Sequence, residues 1–155
     1  MNFQLDPKID GYRKRYRDFV LERVLPLERD AAAFDAHENI RLDLLERLRA
    51  DAKAAGLWAP QMPPERGGQG LNVVGMAACY EEMNYSLFGP VVFNCAAPDD
   101  GNMTVLNKIG TERQKARWLQ PIVDGRVRSS IVMTEPAPGA GSDPTMMKTT
   151  ATKKG

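Results

Sequence analysis

The chain has 155 residues, 43% of them apolar and 26% charged, and a formal net charge of +1. Such usage suits a globular segment that can bury a core, while the near-neutral charge gives no electrostatic case for nucleic acid or acidic membranes. No apolar run approaches the roughly 20 residues that span a bilayer, and Asn2, Gln4, Asp6, Lys8 and Asp10 interrupt what a signal peptide would need as its apolar centre. The reading is of a cytoplasmic chain in which Cys79 and Cys95 stay reduced.

The first predicted element is a helix. Asp6 before Pro7 supplies a cap and a first-turn proline, and Ile9, Tyr12, Tyr16, Phe19, Val20 and Val24 recur at helical spacing on one face. The charges Arg13, Lys14, Arg17, Asp18 and Glu22 fall mostly opposite and read as a solvated face. Pro26 predicts a kink with helix beyond it. A second helix is expected from about Leu42 to Ala55, with Leu45, Leu48 and Ala52 inward and Gly56 at its end. The Gly67-Gly68-Gln69-Gly70 stretch reads as a plain turn, because no Walker lysine or strand-to-helix context surrounds it. A third helix, about Asn72 to Ser86, carries Val73, Met76, Ala77, Tyr80 and Met83 on one stripe, which is core spacing.

From Phe88 to Asn107 the pattern becomes irregular, with two short helices broken around Pro98 to Gly101. The polar cluster Asn94, Asp99, Asp100 and Asn102, beside Phe93 and Met103, either caps its own helix or faces a ligand. Thr111 with Gln114 three residues later forms a capping box that starts a helix ending near Gly125. Strand signals appear only after that. Residues Arg128 to Val132 read as a strand and Thr145 to Thr152 as a returning one. Between them lies a loop of small residues in which Gly139 and Gly141 permit positive φ and let backbone N–H groups approach a phosphate or carbonyl oxygen. Thr134 and Ser142 add hydroxyls.

Thr134-Glu135-Pro136 followed by Gly141-Ser142-Asp143 resembles the signature of the flavin-dependent acyl-CoA dehydrogenases, although the spacer Ala137-Pro138-Gly139-Ala140 is longer than in many members. Further blocks are similar in family order: Ala54-Ala55-Gly56-Leu57-Trp58, Pro63 to Gly70, Glu81-Glu82-Met83, Gly110 to Lys115 and Trp118-Leu119. The stretch Val92 to Met103 resembles a subgroup acting on hydroxylated or otherwise modified acyl-CoAs. The resemblance implies a mainly α fold, the family's N-terminal helical domain over residues 1–125, followed by the first β-hairpin of a middle β domain at 126–155. It implies α,β-dehydrogenation of acyl-CoA thioesters with FAD, an electron-transfer partner and a homo-oligomer for the complete protein.

Carried onto this sequence, the resemblance implies that Met133 and Thr134 meet the flavin ring. It gives Gly141 and Ser142 to the pyrophosphate, with Ser142 also reaching the acyl-CoA, and it assigns Phe93, Asn94 and Asn102 to the acyl channel. No catalytic residue is expected in this chain, since the family's proton-abstracting carboxylate lies in a C-terminal bundle. Glu135 is then read as an acceptor that fixes the loop. The chain is expected to be a truncated N-terminal part, inactive alone; the alternative is a non-catalytic helical module that binds a partner subunit or an acyl-CoA. No metal site is expected: His37, the one histidine, sits among Asp35, Glu38 and Asn39 and reads as a surface residue.

Overall fold

The computed structural model describes residues 4–154. The mainly α class read from the sequence holds: seven α-helical segments, several extended by wider or tighter turns, are joined by loops along the described chain as far as Val123. Helix α1 spans Pro7–Phe19, and the Asp6 side chain accepts from the Lys8 N–H at 2.8 Å. Its predicted apolar stripe faces inward, with Tyr16, Phe19, Val20 and Val24 buried. The expected break at Pro26 begins earlier. Residues Val20–Val24 form a wide turn in which the Leu25 N–H reaches back to the Val20 carbonyl, and Leu25–Arg29 then tightens. A proline has no N–H for the carbonyl one turn before it, so the helix loosens on the approach. The same device recurs where the wide turn Lys115–Leu119 precedes Pro121.

Helix α2 (Leu42–Ala54) buries Leu45, Leu48 and Ala52 as expected and ends at Gly56, which takes a φ of +62°. Helix α3 (Val73–Met83) is capped by Asn72, whose side chain accepts from the Gly75 N–H at 2.8 Å. Its inward face differs from the expected one: Val73 and Ala77 are exposed, and Gly75, Cys79, Glu82 and Met83 are buried. α1 lies along this face so closely that a Cβ on Gly75 would stand 3.4 Å from Ile9 Cγ1. The close approach also corrects the charge reading of α1. Glu82, only 3% exposed, takes Arg13 at 2.6 Å and Arg17 at 2.7 Å, so two of the supposedly solvated cations serve a buried carboxylate.

Two apolar clusters result. The first joins α1, α2, α3 and the short α4 (Gly89–Val92), with the Phe93 ring edge-on to Tyr16 and Phe19 at centroid distances of 4.9 and 5.2 Å. The second gathers Trp58, Met62, Met103, Leu119, Ile122 and Val123, between the loop after α2, α5 (Asp99–Ile109) and the run α6 (Glu112–Gln114) to α7 (Gln120–Val123). The Thr111 and Gln114 capping box is formed. Gly125, at φ +75°, closes the run, and a Cβ there would press within 2.8 Å of the Trp58 ring. The glycine-rich stretch is a turn: Gln69 sits 2.7 Å from the Tyr16 hydroxyl and donates to the Gly56 carbonyl, while the N–H groups of Gly67, Gly68 and Gly70 bond to residues 62–64.

The hairpin expected from residue 128 onward is reduced to one antiparallel bridge, Glu135 to Gly141. Residues 144–146 form a tight helical turn where the returning strand was expected to start. Two strands alone are marginal in water, and Ile131 and Val132, the latter 92% exposed, pack on nothing that would hold a ladder. No helix among the described residues is long and apolar enough to cross a membrane.

Candidate functional site

The loop at 133–143 is built around one carboxylate. Glu135 is buried, and its oxygens accept from the N–H groups of Ala140 (2.9 Å), Lys148 (2.9 Å) and Thr149 (2.5 Å) and from the Thr149 hydroxyl. The Thr149 hydroxyl and then these backbone donors hold its pKa down at about 2. Gly139 packs so tightly on this centre that a Cβ would stand 2.6 Å from Glu135 Cβ. Asp143 closes the far side, accepting from the Thr145 N–H and hydroxyl at 2.9 and 2.7 Å.

What the knot presents outward is a set of donors. Gly141 takes a φ of +62° and its N–H pairs with the Glu135 carbonyl in the bridge, whereas the Ser142 N–H has no acceptor among the described residues. The hydroxyls of Thr134 and Ser142 are likewise unengaged among them and exposed. A free N–H directly after a left-handed residue, with exposed hydroxyls beside it, suits an anionic oxygen. Met133 is partly exposed beside them.

The three residues assigned to an acyl channel separate. Phe93 is fully buried in the first apolar cluster. Asn94 is buried at φ +60°, and its side-chain amide donates to the Ile122 and Val123 carbonyls at 3.0 and 3.1 Å, which satisfies the end of α7. Both therefore have structural roles that occupy them. Asn102 alone faces open space: with Val105, Leu106, Trp118, Ile122 and Val127 it lines a cavity of about 790 Å³, and it donates to the Ser129 hydroxyl at 2.8 Å.

Asp99, by sequence a candidate cap or ligand contact, has its carboxylate committed within the chain. It is the first residue of α5, and its buried carboxylate accepts from Arg128 Nε and from the Ser129 N–H and hydroxyl, both at 2.6 Å. No local pattern signals this, because the partners lie 29 and 30 residues on.

The profile of the acyl-CoA dehydrogenase N-terminal domain matches residues 7–126. The chain belongs to the acyl-CoA dehydrogenase family. It is 38% identical, over its whole length, to the probable acyl-CoA dehydrogenase FadE2 of Mycobacterium tuberculosis, of which it spans 38%. It is 41% identical over 85% of its length to acyl-CoA dehydrogenase family member 10 of Mus musculus, covering 13% of that protein. A solved structure from Mycobacterium abscessus, provisionally described as an acyl-CoA dehydrogenase, superposes on 92% of the chain with a TM-score of 0.77 at 38% identity, and the chain covers 38% of it.

Other chemistry within this acyl-CoA dehydrogenase segment finds little support. Cys79 and Cys95 are buried and free, and burial pushes both thiols up, Cys79 to about 11, so neither is a ready nucleophile. His37 is exposed in a turn fixed by Asp35.

Proposed function

We propose that these residues supply one wall of the cofactor and substrate site of an FAD-dependent acyl-CoA dehydrogenase. The observation that carries the reading is the unengaged donor set at Thr134 and Ser142, on either side of the bridged Gly141 and held outward by the Glu135 knot at the positions where the family signature falls. The residues fit the group, since the free Ser142 N–H and the exposed hydroxyls suit a pyrophosphate oxygen and the exposed Met133 offers an apolar surface to a ring. When bound, FAD would accept the hydride that leaves the β-carbon of the thioester.

In this reading Met133 and Thr134 orient the ring, Gly141 and Ser142 hold the pyrophosphate, and Ser142 also meets the acyl-CoA. Asn102 stays a substrate-side residue because it lines the open cavity, and Phe93 and Asn94 support it from the core. The base that takes the α-proton lies outside these residues, as do the electron-transfer partner and the contacts of a homo-oligomer. A non-catalytic module is the weaker reading: it would need Ile131, Val132, Met146 and Met147 covered, and all four are exposed.

The test is a titration of FAD into the 155-residue chain, followed at the backbone amides by NMR. The expected result is weak, substoichiometric binding with shifts confined to Met133, Thr134, Gly141 and Ser142, and no turnover of any acyl-CoA. Saturable shifts elsewhere with none in the loop would overturn the assignment.

A further inference from the structure

Among the described residues, every hydrogen bond between segment 127–154 and the helical part of the chain passes through one cluster. Arg126 still bonds to the Pro121 carbonyl, but from Val127 to Lys154 the ties to residues 4–126 are those of Arg128 and Ser129 to Asp99 and of Ser129 to Asn102. The ligand loop is knotted internally on Glu135, and that knot makes no hydrogen bond to the helices. The loop thus has a fixed shape of its own and, among the described residues, one hydrogen-bonded attachment to the helices.

We propose that Asp99 is a positioning residue, the latch that sets where the Thr134 to Ser142 donor face stands relative to the helices; the inference rests on the reading of that face as a ligand site. Three features make the latch stiff. The Asp99 side chain is 3% exposed, so water competes poorly for its oxygens. Its acceptors are filled by a guanidinium, a backbone N–H and a hydroxyl, donors that together fix both the place and the orientation of Ser129. The Ser129 hydroxyl, donating to Asp99, accepts in turn from Asn102 Nδ2 at 2.8 Å, so α5 grips the segment at two helical positions three residues apart. Thr134 follows Ser129 by five residues, which leaves at most about 18 Å of chain between latch and donor.

The latch also joins the loop to the cavity. Asn102, Arg128 and Ser129 line it together with the apolar Leu106 and Ile122. A ligand portion in that cavity would therefore press on Asn102, Arg128 and Ser129, three residues of the latch, and the two halves of the site meet at one carboxylate.

The experiment compares the 155-residue chain with Asp99→Asn and the milder Ser129→Ala. Residual dipolar couplings are measured for residues 129–149 and for α5. In the parent chain both sets are expected to fit one alignment frame. In Asp99→Asn the loop couplings should collapse or require a separate frame while those of α1 to α5 keep theirs, and Ser129→Ala should move the same way to a smaller extent. FAD-induced shifts at Thr134, Gly141 and Ser142 are then titrated, with affinity expected to fall about tenfold in Asp99→Asn. A common frame retained in both variants would overturn the latch. Absence of FAD-induced shifts in the parent chain would instead overturn the ligand reading, whatever the couplings show. Should Asp99→Asn fail to fold, the couplings of Ser129→Ala decide.

Discussion

The helical part of the molecule and the segment after Arg126 hold themselves together in opposite ways. The helices bury two apolar clusters and satisfy polar groups at their edges, so each residue is fixed by many weak contacts. The segment from Val127 onward buries almost nothing apolar and hangs on two carboxylates, Asp99 outside the loop and Glu135 within it. Dispersed packing spreads the shape of the helices over many side chains. A carboxylate hub concentrates the shape of a loop in one titratable group and leaves its outer surface free for a ligand.

The comparison breaks most visibly through the core. Phe93→Ala removes a ring that is fully buried against Tyr16 and Phe19, and about 3–5 kcal/mol of stability should go with it. Thermal melting of the helices measures this, and the Glu135 bonds should be untouched below the transition.

Next in size is Glu82→Gln, which leaves Arg13 and Arg17 facing a neutral amide on α3. A fully buried pair broken on one side costs more, but both arginines reach water, so about 2 kcal/mol is expected. Denaturant titration gives the value; a loss below the error of the fit would mean that the two arginines simply turn outward.

The third test separates the regions by acid. Glu135 has its pKa lowered in the folded loop to about 2, against an ordinary value near 4.5. Its contribution is therefore fully present above the ordinary value and is lost as pH falls towards 2. Amide exchange protection of Ala140, Lys148 and Thr149 should drop within that window, and should do so in Glu135→Gln at neutral pH as well. Protection that stays level down to pH 2 would show that the loop does not depend on the charge.

The smallest effect on stability belongs to Ser142→Ala. The hydroxyl is exposed and makes no bond among the described residues, so melting should be unchanged. Its loss should appear only with ligand present, as a roughly ten- to hundredfold weaker affinity for FAD or acyl-CoA. Equal affinity in both forms would leave Ser142 a turn residue.

How much of this was legible in the sequence follows the same division. The α1 stripe from Ile9 to Val24, the Asn72 start of α3 and the Thr111 capping box are local patterns, and local patterns survive folding. The face of α3 was not legible, since apolarity points to Val73 and Ala77, whereas close approach to Ile9 selects the small Gly75 and Cys79, and Glu82 is drawn in by cations on another helix. The β-branched run at Ile131 and Val132 has strand composition, but composition does not supply a pairing partner. At the site, the signature places Thr134, Gly141 and Ser142 by resemblance. Asp99 escaped because its meaning depends on Arg128 and Ser129, which only the fold brings near.

Trp58 has a consequence for optical work. Its indole N–H donates to the Val123 carbonyl at 2.7 Å, Lys53 stands 4.3 Å from its ring, and Gly125 lies against it, so it is expected to emit from a buried, cation-flanked site in the second cluster. Trp118, 48% exposed on the rim of the 790 Å³ cavity, emits from water. The two tryptophans are thus separable by colour and by quencher access. The chain carries one built-in dye for the integrity of its helices and another for occupancy of the cavity beside the latch at Ser129.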